Sequence, residues 1–357
     1  MKRCHFIGLD VHGEFCEMAV VSAGGKVVRR GRCDTNIPAL REMLDEVPTP
    51  RRLTIEEGPM ADWLWRNLHE QVQEMIVCEP RRNRLIAVAG DKDDPVDAEK
   101  LAQLYRGGYV KAVHHPESME QSIFKQHVLL YHQRVSQRVA EGHRARCLLR
   151  RHGVVVKAKD FAQLEQRQAL LARLPLPQHP VLRENIELLW QSYDHAQAQE
   201  EQWRRRLIEL AEQIEVVRRF TELPGIGWVR AATLYVFLDT PWRFVSKAKL
   251  WKYLGIGLER RRSGNGPESL HVPKFCNRVL KSTILGGAKS AAALGGNPFA
   301  EQYRRWMDIG LSPKLARRNV ARSLSAVLWG LWKNGSAYRP EWVGVTMAAF
   351  RAAAVSP

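Results

Sequence analysis

Phe6-Ile7-Gly8-Leu9-Asp10-Val11-His12 is the stretch that decides the fold of this chain. Apolar and small residues lead into a single carboxylate, a pattern typical of a buried strand that ends at an acidic side chain. A carboxylate is costly to bury when it has no partner. The stretch therefore predicts a core strand whose end carries the first residue of a candidate site, Asp10.

Three more acidic positions follow within the first hundred residues. A second short apolar run ends at Glu56, with Glu57 directly behind it. Asp94 and Asp97 are three residues apart, and residues at that spacing lie on one face of a helix. Converging carboxylates form the oxygen cage that Mg²⁺ prefers, and two such ions can stabilise the attacking and leaving oxygens of a phosphodiester displacement.

The segment Asp94-Pro95-Val96-Asp97 also has an interpretation without chemistry. Asp at the N-cap, Pro at the first helical position and an acid in the first turn make a good helix start. Both interpretations place the two carboxylates on one side of a helix N-terminus. The association with Asp10 and Glu56 favours a metal site.

The composition indicates a polyanionic partner. The chain carries 55 Lys+Arg against 38 Asp+Glu, a formal net charge of +17, and neutralising phosphates releases counterions, which drives association. The alternative is an ordinary basic enzyme. The 6 cysteines show neither a CxxC pair nor zinc-ligand spacing with histidine, and are expected to be free thiols of a reducing compartment. No signal-like or membrane-spanning apolar stretch is present, so we expect an intracellular protein.

The chain is expected to have three parts. Residues 1–115 alternate strand and helix patterns, which predicts an α/β domain with a mixed sheet. The predicted strands cover residues 6–9, 17–22, 26–31, 52–55 and 74–78, and the predicted helices cover 37–46, 61–71 and 95–106. Residues 116–220 form a long helical, coiled-coil segment, and residues 221–357 a mainly α domain.

Two long helices are predicted in the middle segment. Apolar or small residues recur at heptad spacing from Ile186 to Ile214, broken by Glu200, so coiled-coil pairing is expected. This seam can close against the helix over residues 117–153 or against a second chain, and the sequence does not choose. The polar side of that first helix is rich in arginines, which we expect to bind nucleic acid: Arg134, Arg138, Arg144, Arg146, Arg150 and Arg151.

Two short motifs mark the C-terminal part. Leu223-Pro224-Gly225-Ile226-Gly227 is typical of a helix-hairpin-helix turn, whose glycines let backbone N–H groups approach a phosphate, although any tight interhelical turn has this pattern. Ser263 lies in a glycine-flanked basic loop and is either part of an ordinary turn or a nucleophile clamped by arginines. The basic residues expected to contact nucleic acid here are Arg260, Arg261, Arg262, Lys274, Arg278 and Lys281. The tryptophans of this half are more typical of core than of base-stacking platforms.

Taken together, the motifs resemble the DEDD transposases of the insertion sequence 110 family. The resemblance covers nearly the whole chain and rests on motifs in the family's order: Ile7-Gly8-Leu9-Asp10-Val11, Ile55-Glu56 with Gly58-Pro59, Lys92-x-Asp94-x-x-Asp97-Ala98, Leu223-Pro224-Gly225-Ile226-Gly227, Tyr253-Leu254-Gly255, Ser263-Gly264, Lys274-x-x-Asn277-Arg278 and the tail from Asn297-Pro298 to Arg322. The second motif is one residue short between its glutamate and Gly58. Glu56 and Glu57 therefore compete for the metal role, and Glu56 is favoured because it directly follows Ile55.

The resemblance implies a fold, an activity and partners. It implies an RNase-H/RuvC-like domain that binds Mg²⁺ through Asp10, Glu56, Asp94 and Asp97, and a C-terminal serine, at Ser263, that attacks a DNA phosphate. It implies recombination of donor and target DNA, guided by an element-encoded bridge RNA, by a dimer or tetramer in the bacterial cytoplasm, associated with the nucleoid. Two other functions remain open: a RuvC-like nuclease that uses water, and a non-catalytic nucleic-acid-binding protein.

Overall fold

The computed structural model describes residues 4–80, 94–115, 118–157, 161, 163–174, 179–261, 269–273 and 276–343. Of residues 94, 164, 260, 261, 269 and 270 it describes the backbone alone. The chain divides into two compact units, residues 1–117 and 118–357. The further boundary expected near residue 220 stays a prediction.

A five-stranded mixed sheet forms the centre of the first unit. Its elements are β1 (His5–Val11), β2 (Phe15–Ser22), β3 (Val27–Asp34), α1 (Ile37–Asp45), β4 (Arg51–Glu56), α2 (Ala61–Leu68), a 3₁₀ turn (His69–Gln71), β5 (Glu74–Cys78) and α3 (Asp94–Arg106). The strand order is β3-β2-β1-β4-β5. The first three strands form an antiparallel meander, whereas β1, β4 and β5 run parallel. The expected α/β fold of the N-terminal part is confirmed.

Helices cover both faces of this sheet. Ile7 and Leu9 of β1 lie in one buried cluster with Leu53 and Ile55 of β4 and with apolar residues of α1 and α2. The opposite face is covered by α3, which packs on β1 and β2. The approach is close at Gly8, where a Cβ atom would lie 2.1 Å from the carbonyl oxygen of Ala98. The glycine two residues before Asp10 is therefore required by the packing of α3.

Two long helices pack against each other in the second unit. They are α4 (Met119–Arg151) and α6 (Pro180–Glu212), with the short α5 (Leu164–Ala172) between them in sequence. Nε2 of His127 lies 3.3 Å from the carbonyl oxygen of Trp203, and Gly142 contacts the ring of Tyr193. Residue numbers thus rise along α4 as they fall along α6, so the pair is antiparallel.

The heptad seam of α6 closes within this chain. Its residues Ile186, Tyr193, Ala196 and Leu207 are buried, and the other seam positions are half-buried. The helix ends at Glu212, before Ile214, the last position of the expected seam. The following α7 (Glu215–Thr221) lets Val217 and Phe220 reach the core of the unit. Supercoiling of the pair stays a prediction.

The remaining helices surround one apolar core. They are α8 (Trp228–Leu238), α9 (Lys247–Tyr253), α10 (Arg278–Leu294), α11 (Pro298–Asp308) and α12 (Pro313–Asn334), with 3₁₀ turns at Pro241–Arg243 and Pro340–Trp342. A short antiparallel pair, β6 (Glu259–Arg261) and β7 (Ser269–His271), interrupts the helices. The expected mainly helical character of the C-terminal part is confirmed. In the described part of the chain, none of the helices has the length and apolarity needed to cross a bilayer.

Candidate functional site

Asp10 and Glu56 lie at one edge of the sheet. Their strands are parallel neighbours, and the last residues paired in register are Leu9 and Ile55. Asp10 and Glu56 each follow one of these fully buried residues, at the carboxyl ends of β1 and β4. The Asp10 side chain is 26% exposed and Glu56 is exposed. Both carboxylates can therefore reach a ligand at this edge.

The two carboxylates share a face of the sheet. Side chains alternate along a strand, so Asp10 lies on the same face as Gly8, and Glu56 on the same face as Thr54. Gly8 and Thr54 are paired in register, and their face is the one that α3 covers. The next residue, Glu57, follows the end of β4, and its N–H donates to the carbonyl oxygen of Cys78 at 2.9 Å. Alternation thus favours Glu56 over Glu57.

The direction of α3 brings its first turn toward this edge. The rings of Phe6 and Tyr105 lie 5.7 Å apart, and Gly8 contacts Ala98. Residue numbers therefore fall along α3 as they rise along β1, so the two elements run antiparallel. When this antiparallel arrangement is extended from Gly8 to Asp10, it leads to the first turn of α3. Asp97 lies there, 44% exposed, with one carboxylate oxygen 3.1 Å from Nζ of Lys100.

Asp94 is the first residue of α3, and its side chain is outside the described part of the structure. Carboxylate oxygens at this edge are the hard donors that Mg²⁺ prefers, so the donor chemistry fits the metal. Among the residues searched in the described part of the chain, no three His, Cys, Asp or Glu side chains lie close enough to hold an ion. Asp10 and Glu56 share this edge, and Asp97 lies in the first turn of the helix that crosses toward it, without a closed cage among the described residues.

Two neighbours of Asp10 were missed by sequence reasoning. Nε2 of His12 lies 3.2 Å from a carboxylate oxygen of Asp10, and the imidazole stacks on Phe15. Glu17 is paired with Asp10 across the β1–β2 ladder, is 8% exposed, and lies 3.6 Å from Nη1 of Arg32. Strand alternation could have found His12, two residues after Asp10, whereas Glu17 required the register of the meander.

The nearby thiols offer no charged ligand at neutral pH. Burial raises the pKa of Cys16 above its usual value, and it raises the pKa of Cys33 to about 11. Both groups therefore stay protonated and neutral. All 6 cysteines are free, as expected for the chain.

The arginines of α4 fall into two groups. Arg138 forms an ion pair with Glu200 of α6, Arg144 pairs with Glu141, and Arg146 donates to the carbonyl oxygen of Gly142 at 2.9 Å. Arg134 donates to Oε1 of Gln137 at 2.7 Å. The remaining two, Arg150 and Arg151, are exposed on the last turn. The predicted basic face is thus partly engaged in contacts within the unit.

The two glycines of the helix-hairpin-helix motif have different roles in the structure. Gly225 has φ +81°, and a Cβ atom there would lie 2.3 Å from the carbonyl oxygen of Gly287 on α10. This glycine is required by packing. Gly227 is the N-cap of α8, is exposed, and has no atom within 4 Å of an added Cβ among the described residues. Of the two glycines, Gly227 is therefore the more exposed.

The remaining candidate residues belong to the segment from Arg260 to Lys281. Arg262, Ser263 and Lys274 lie outside the described residues, and the side chains of Arg260 and Arg261 are not described. The paired residues Arg261 and Ser269 bracket the segment that contains Ser263. At the start of α10, Arg278 is exposed and Lys281 is half-buried.

Comparisons with known proteins agree with the motifs. A DEDD-type IS110 family model, described as a transposase, matches residues 7–153, and a second, described as "Transposase IS116/IS110/IS902 family", matches residues 217–304. Three relatives were found. The "Insertion element IS110 uncharacterized 43.6 kDa protein" of Streptomyces coelicolor is 29% identical over 131 residues, 36% of this chain and 32% of that protein. The "Putative transposase y4pF/y4sB" of Sinorhizobium fredii is 25% identical over 191 residues, 52% and 48% of the two chains.

The third relative is matched over a longer region. The "Transposase for insertion sequence element IS1111A" of Coxiella burnetii is 20% identical over 259 residues, 71% of this chain and 70% of that protein. The match to the first two relatives spans about a third and about half of their lengths. The two family models match in consecutive order: the first covers the unit with the acidic edge and continues through α4, and the second lies within the helical unit. The chain therefore belongs to the IS110 family of transposases.

Proposed function

We propose that this protein is a DNA transposase that excises and inserts an insertion element by breaking and rejoining phosphodiester bonds. One observation carries the proposal. Asp10 and Glu56 lie at the carboxyl ends of neighbouring parallel strands, on the face covered by α3. Carboxylates so placed, beside a helix start that adds Asp94 and Asp97, are suited to hold the ions of a phosphoryl-transfer site.

Mg²⁺ is the proposed cofactor, with Asp10, Glu56, Asp94 and Asp97 as its ligands. When bound, it would polarise the scissile phosphate and stabilise developing negative charge. Solvent reaches two of these side chains, since Asp97 is 44% exposed and Glu56 is exposed. His12, at 3.2 Å from Asp10, holds that carboxylate in place at the strand end.

Ser263 is the proposed nucleophile. Its hydroxyl oxygen would attack the phosphorus of one strand, form a phosphoserine and release the sugar hydroxyl of the cut end. The hydroxyl of the second strand would then attack the same phosphorus and restore the free serine. A serine hydroxyl is a weak nucleophile and needs a charge clamp, for which the neighbouring Arg260, Arg261 and Arg262 are suited. The ladder between Arg261 and Ser269 holds together the two residues that flank the segment containing Ser263.

The proposed partners are donor DNA, target DNA and a structured guide RNA. The exposed Arg150 and Arg151, with Gly227 and Arg278, are the strongest candidates for phosphate contacts. Joining two duplexes requires several strand events, so a dimer or tetramer is proposed. Because the seam of α6 is covered by α4 in one chain, such an assembly would use other surfaces. Chromosomal DNA as substrate would place the activity in the bacterial cytoplasm, at the nucleoid.

Recombination of a plasmid that carries the element's ends tests the proposal. Asp10→Asn should abolish strand cleavage and still bind DNA, and Ser263→Ala should abolish recombination and the covalent protein–DNA adduct. Asp308→Asn, an exposed acid at the end of α11, is the matched control and should react normally. Normal recombination by Asp10→Asn would refute the site. Cleavage at the wild-type rate by Ser263→Ala would identify water as the nucleophile and the chain as a nuclease.

Guide RNA binding has a separate test. Stem-loop RNA from the element's noncoding region should bind more tightly than unrelated RNA of equal length at physiological salt. Equal affinity would mean that the net charge of +17 alone accounts for RNA binding.

A further inference from the structure

Trp242 presents an unusually exposed indole ring. It is 68% exposed, whereas Trp329 of α12 is 3% exposed. The ring lies in the short 3₁₀ turn between α8 and α9, and the neighbouring Val245 is 86% exposed. The expectation that the tryptophans of this half belong to the core is therefore wrong for Trp242. Two large apolar side chains exposed in one short segment make this turn a candidate binding surface.

The backbone beneath Trp242 is held in place by specific contacts. Nε1 of Trp329 donates to the carbonyl oxygen of Pro241 at 2.7 Å, which fastens the turn to α12. Asp239 has φ +69°, and the N–H of Thr240 donates to the carbonyl oxygen of Leu238 at 2.9 Å. This three-residue γ-turn is strained for a residue other than glycine, and such strain is concentrated at functional sites. The ring is thus presented by a fixed turn.

One lysine lies close to the ring in space, and further basic residues follow it in sequence. Nζ of Lys333 lies 3.9 Å from the ring centroid of Trp329 and 5.1 Å from that of Trp242. The sequence from Trp242 to Tyr253 contains Arg243, Lys247, Lys249 and Lys252, and it contains no acidic residue. A protein partner would bury this apolar group among charges, which interface cores avoid. An aromatic ring among cations instead fits a nucleotide, which has a flat base and an anionic phosphate.

We propose that Trp242, with Val245, Lys247 and Lys333, forms a ledge that binds an unpaired base of single-stranded DNA. The base stacks on the exposed indole, and the lysines contact the flanking phosphates. In a duplex the bases are already stacked on each other, so the ledge selects strands that have been opened. This inference rests on the proposed function, because a cut and exchanged strand supplies such unpaired bases.

The test is the affinity of the full-length protein for a fluorescein-labelled oligothymidylate, measured by anisotropy without added metal. Trp242→Ala should weaken binding about 5-fold to 150-fold, the range for loss of one base–aromatic stack. Trp242→Phe should retain most of the affinity. Trp63→Ala removes a 38% exposed indole from the first unit and serves as the matched control, with no expected change. Binding of a duplex of equal length should be unaffected by Trp242→Ala.

Each other outcome overturns the proposal. Unchanged affinity in Trp242→Ala, or equal losses in Trp242→Ala and Trp63→Ala, would show that the ledge does not stack a base. A loss confined to the matching RNA oligomer would assign the surface to RNA. A loss of self-association, seen by light scattering and without a change in DNA affinity, would assign it to a second copy. The binding assay does not measure cleavage, so it is independent of the transposase proposal. If Trp242→Ala binds oligothymidylate normally while Asp10→Asn fails to cleave DNA, the ledge is wrong and the transposase proposal stands.

Discussion

The acidic edge of the first unit and the arginine face of α4 show how differently charge is used in this molecule. At the edge, Asp10 and Glu56 end two adjacent parallel strands, and alternation alone assigns them to one face. On α4, Arg138, Arg144 and Arg146 are engaged by neighbours one turn away or on the facing helix. The strand ends place both carboxylates at one edge, whereas these arginines bind groups within their own unit. Strand position therefore makes the acidic edge the stronger candidate site.

The largest expected effect would test the geometry of the edge. Glu56→Gln should lower the rate of strand cleavage at least about a hundredfold, because a metal ligand contributes several kcal/mol of charge stabilisation. Glu57→Gln, which changes the adjacent and also exposed acid, is the matched control and should stay near the wild-type rate. Magnesium-dependent nicking of a supercoiled plasmid measures both. The reverse pattern would mean that strand alternation does not select the ligand.

The second prediction compares the two glycines of the helix-hairpin-helix turn, of which Gly225 is packed against α10 and Gly227 is exposed. Gly225→Ala should lower the free energy of unfolding by about 2–4 kcal/mol, because the new Cβ meets the backbone of α10 and the residue has positive φ. Gly227→Ala should cost only about 0.5–1 kcal/mol, the difference between glycine and alanine at an N-cap. Urea denaturation of the full chain measures both values. Equal costs would contradict the close approach at Gly225.

Much of the first unit could be predicted from local pattern. The strand over residues 74–78 was placed correctly, and the helix expected over 95–106 begins one residue earlier, at Asp94. Period-two alternation and helix caps are properties of neighbouring residues, so they can be read without knowledge of the fold. The end of α6 could not be predicted in this way. Neither proline nor glycine marks Gln213 or Ile214, and the turn there serves to bring Val217 and Phe220 into the core.

The candidate site shows the same limit. The four acidic positions came from strand ends and a helix start, but the pairing of Glu17 with Asp10 depends on a register between two strands. The exposure of Trp242 depends on how the γ-turn at Asp239 leaves α8. The close approach of Gly225 to Gly287 joins residues far apart in sequence. Tertiary contacts of this kind leave no signal in a single local pattern.

The third prediction separates the two groups of arginines on α4. Arg138→Gln should lower the free energy of unfolding by about 1–2 kcal/mol, because it leaves the half-buried Glu200 without its ion-pair partner. Arg150→Gln should leave stability within about 0.5 kcal/mol, since surface changes away from special contacts are nearly neutral. Arg150→Gln should reduce the slope of log affinity against log salt for nucleic acid by about one. Equal salt slopes for wild type and Arg150→Gln would remove that residue from the phosphate contacts.

The smallest expected effect concerns His132, a titratable side chain of α4 that contacts α8. Nε2 of His132 lies 2.9 Å from Oγ1 of Thr233, and that hydroxyl donates to the carbonyl oxygen of Val229 at 2.7 Å. Thr233 therefore accepts from Nε2–H, which fixes the neutral tautomer of the imidazole. Burial lowers the pKa of His132 below its usual value, because desolvation disfavours the imidazolium.

The sign of the pH effect follows from this shift. The unfolded chain takes up the His132 proton below about pH 6.5, whereas the folded chain resists it, so the free energy of unfolding should fall as the pH drops through that value. His132→Gln removes the titrating group and keeps an N–H donor for Thr233. The free energy of unfolding of this variant should therefore fall less than that of the wild type as the pH drops. Urea denaturation at about pH 7.5 and about pH 5.5 measures the difference. The stability of His132→Gln should still depend on pH to some extent, since burial also lowers the pKa of His127. An equal fall in wild type and His132→Gln would show that this contact does not resist protonation.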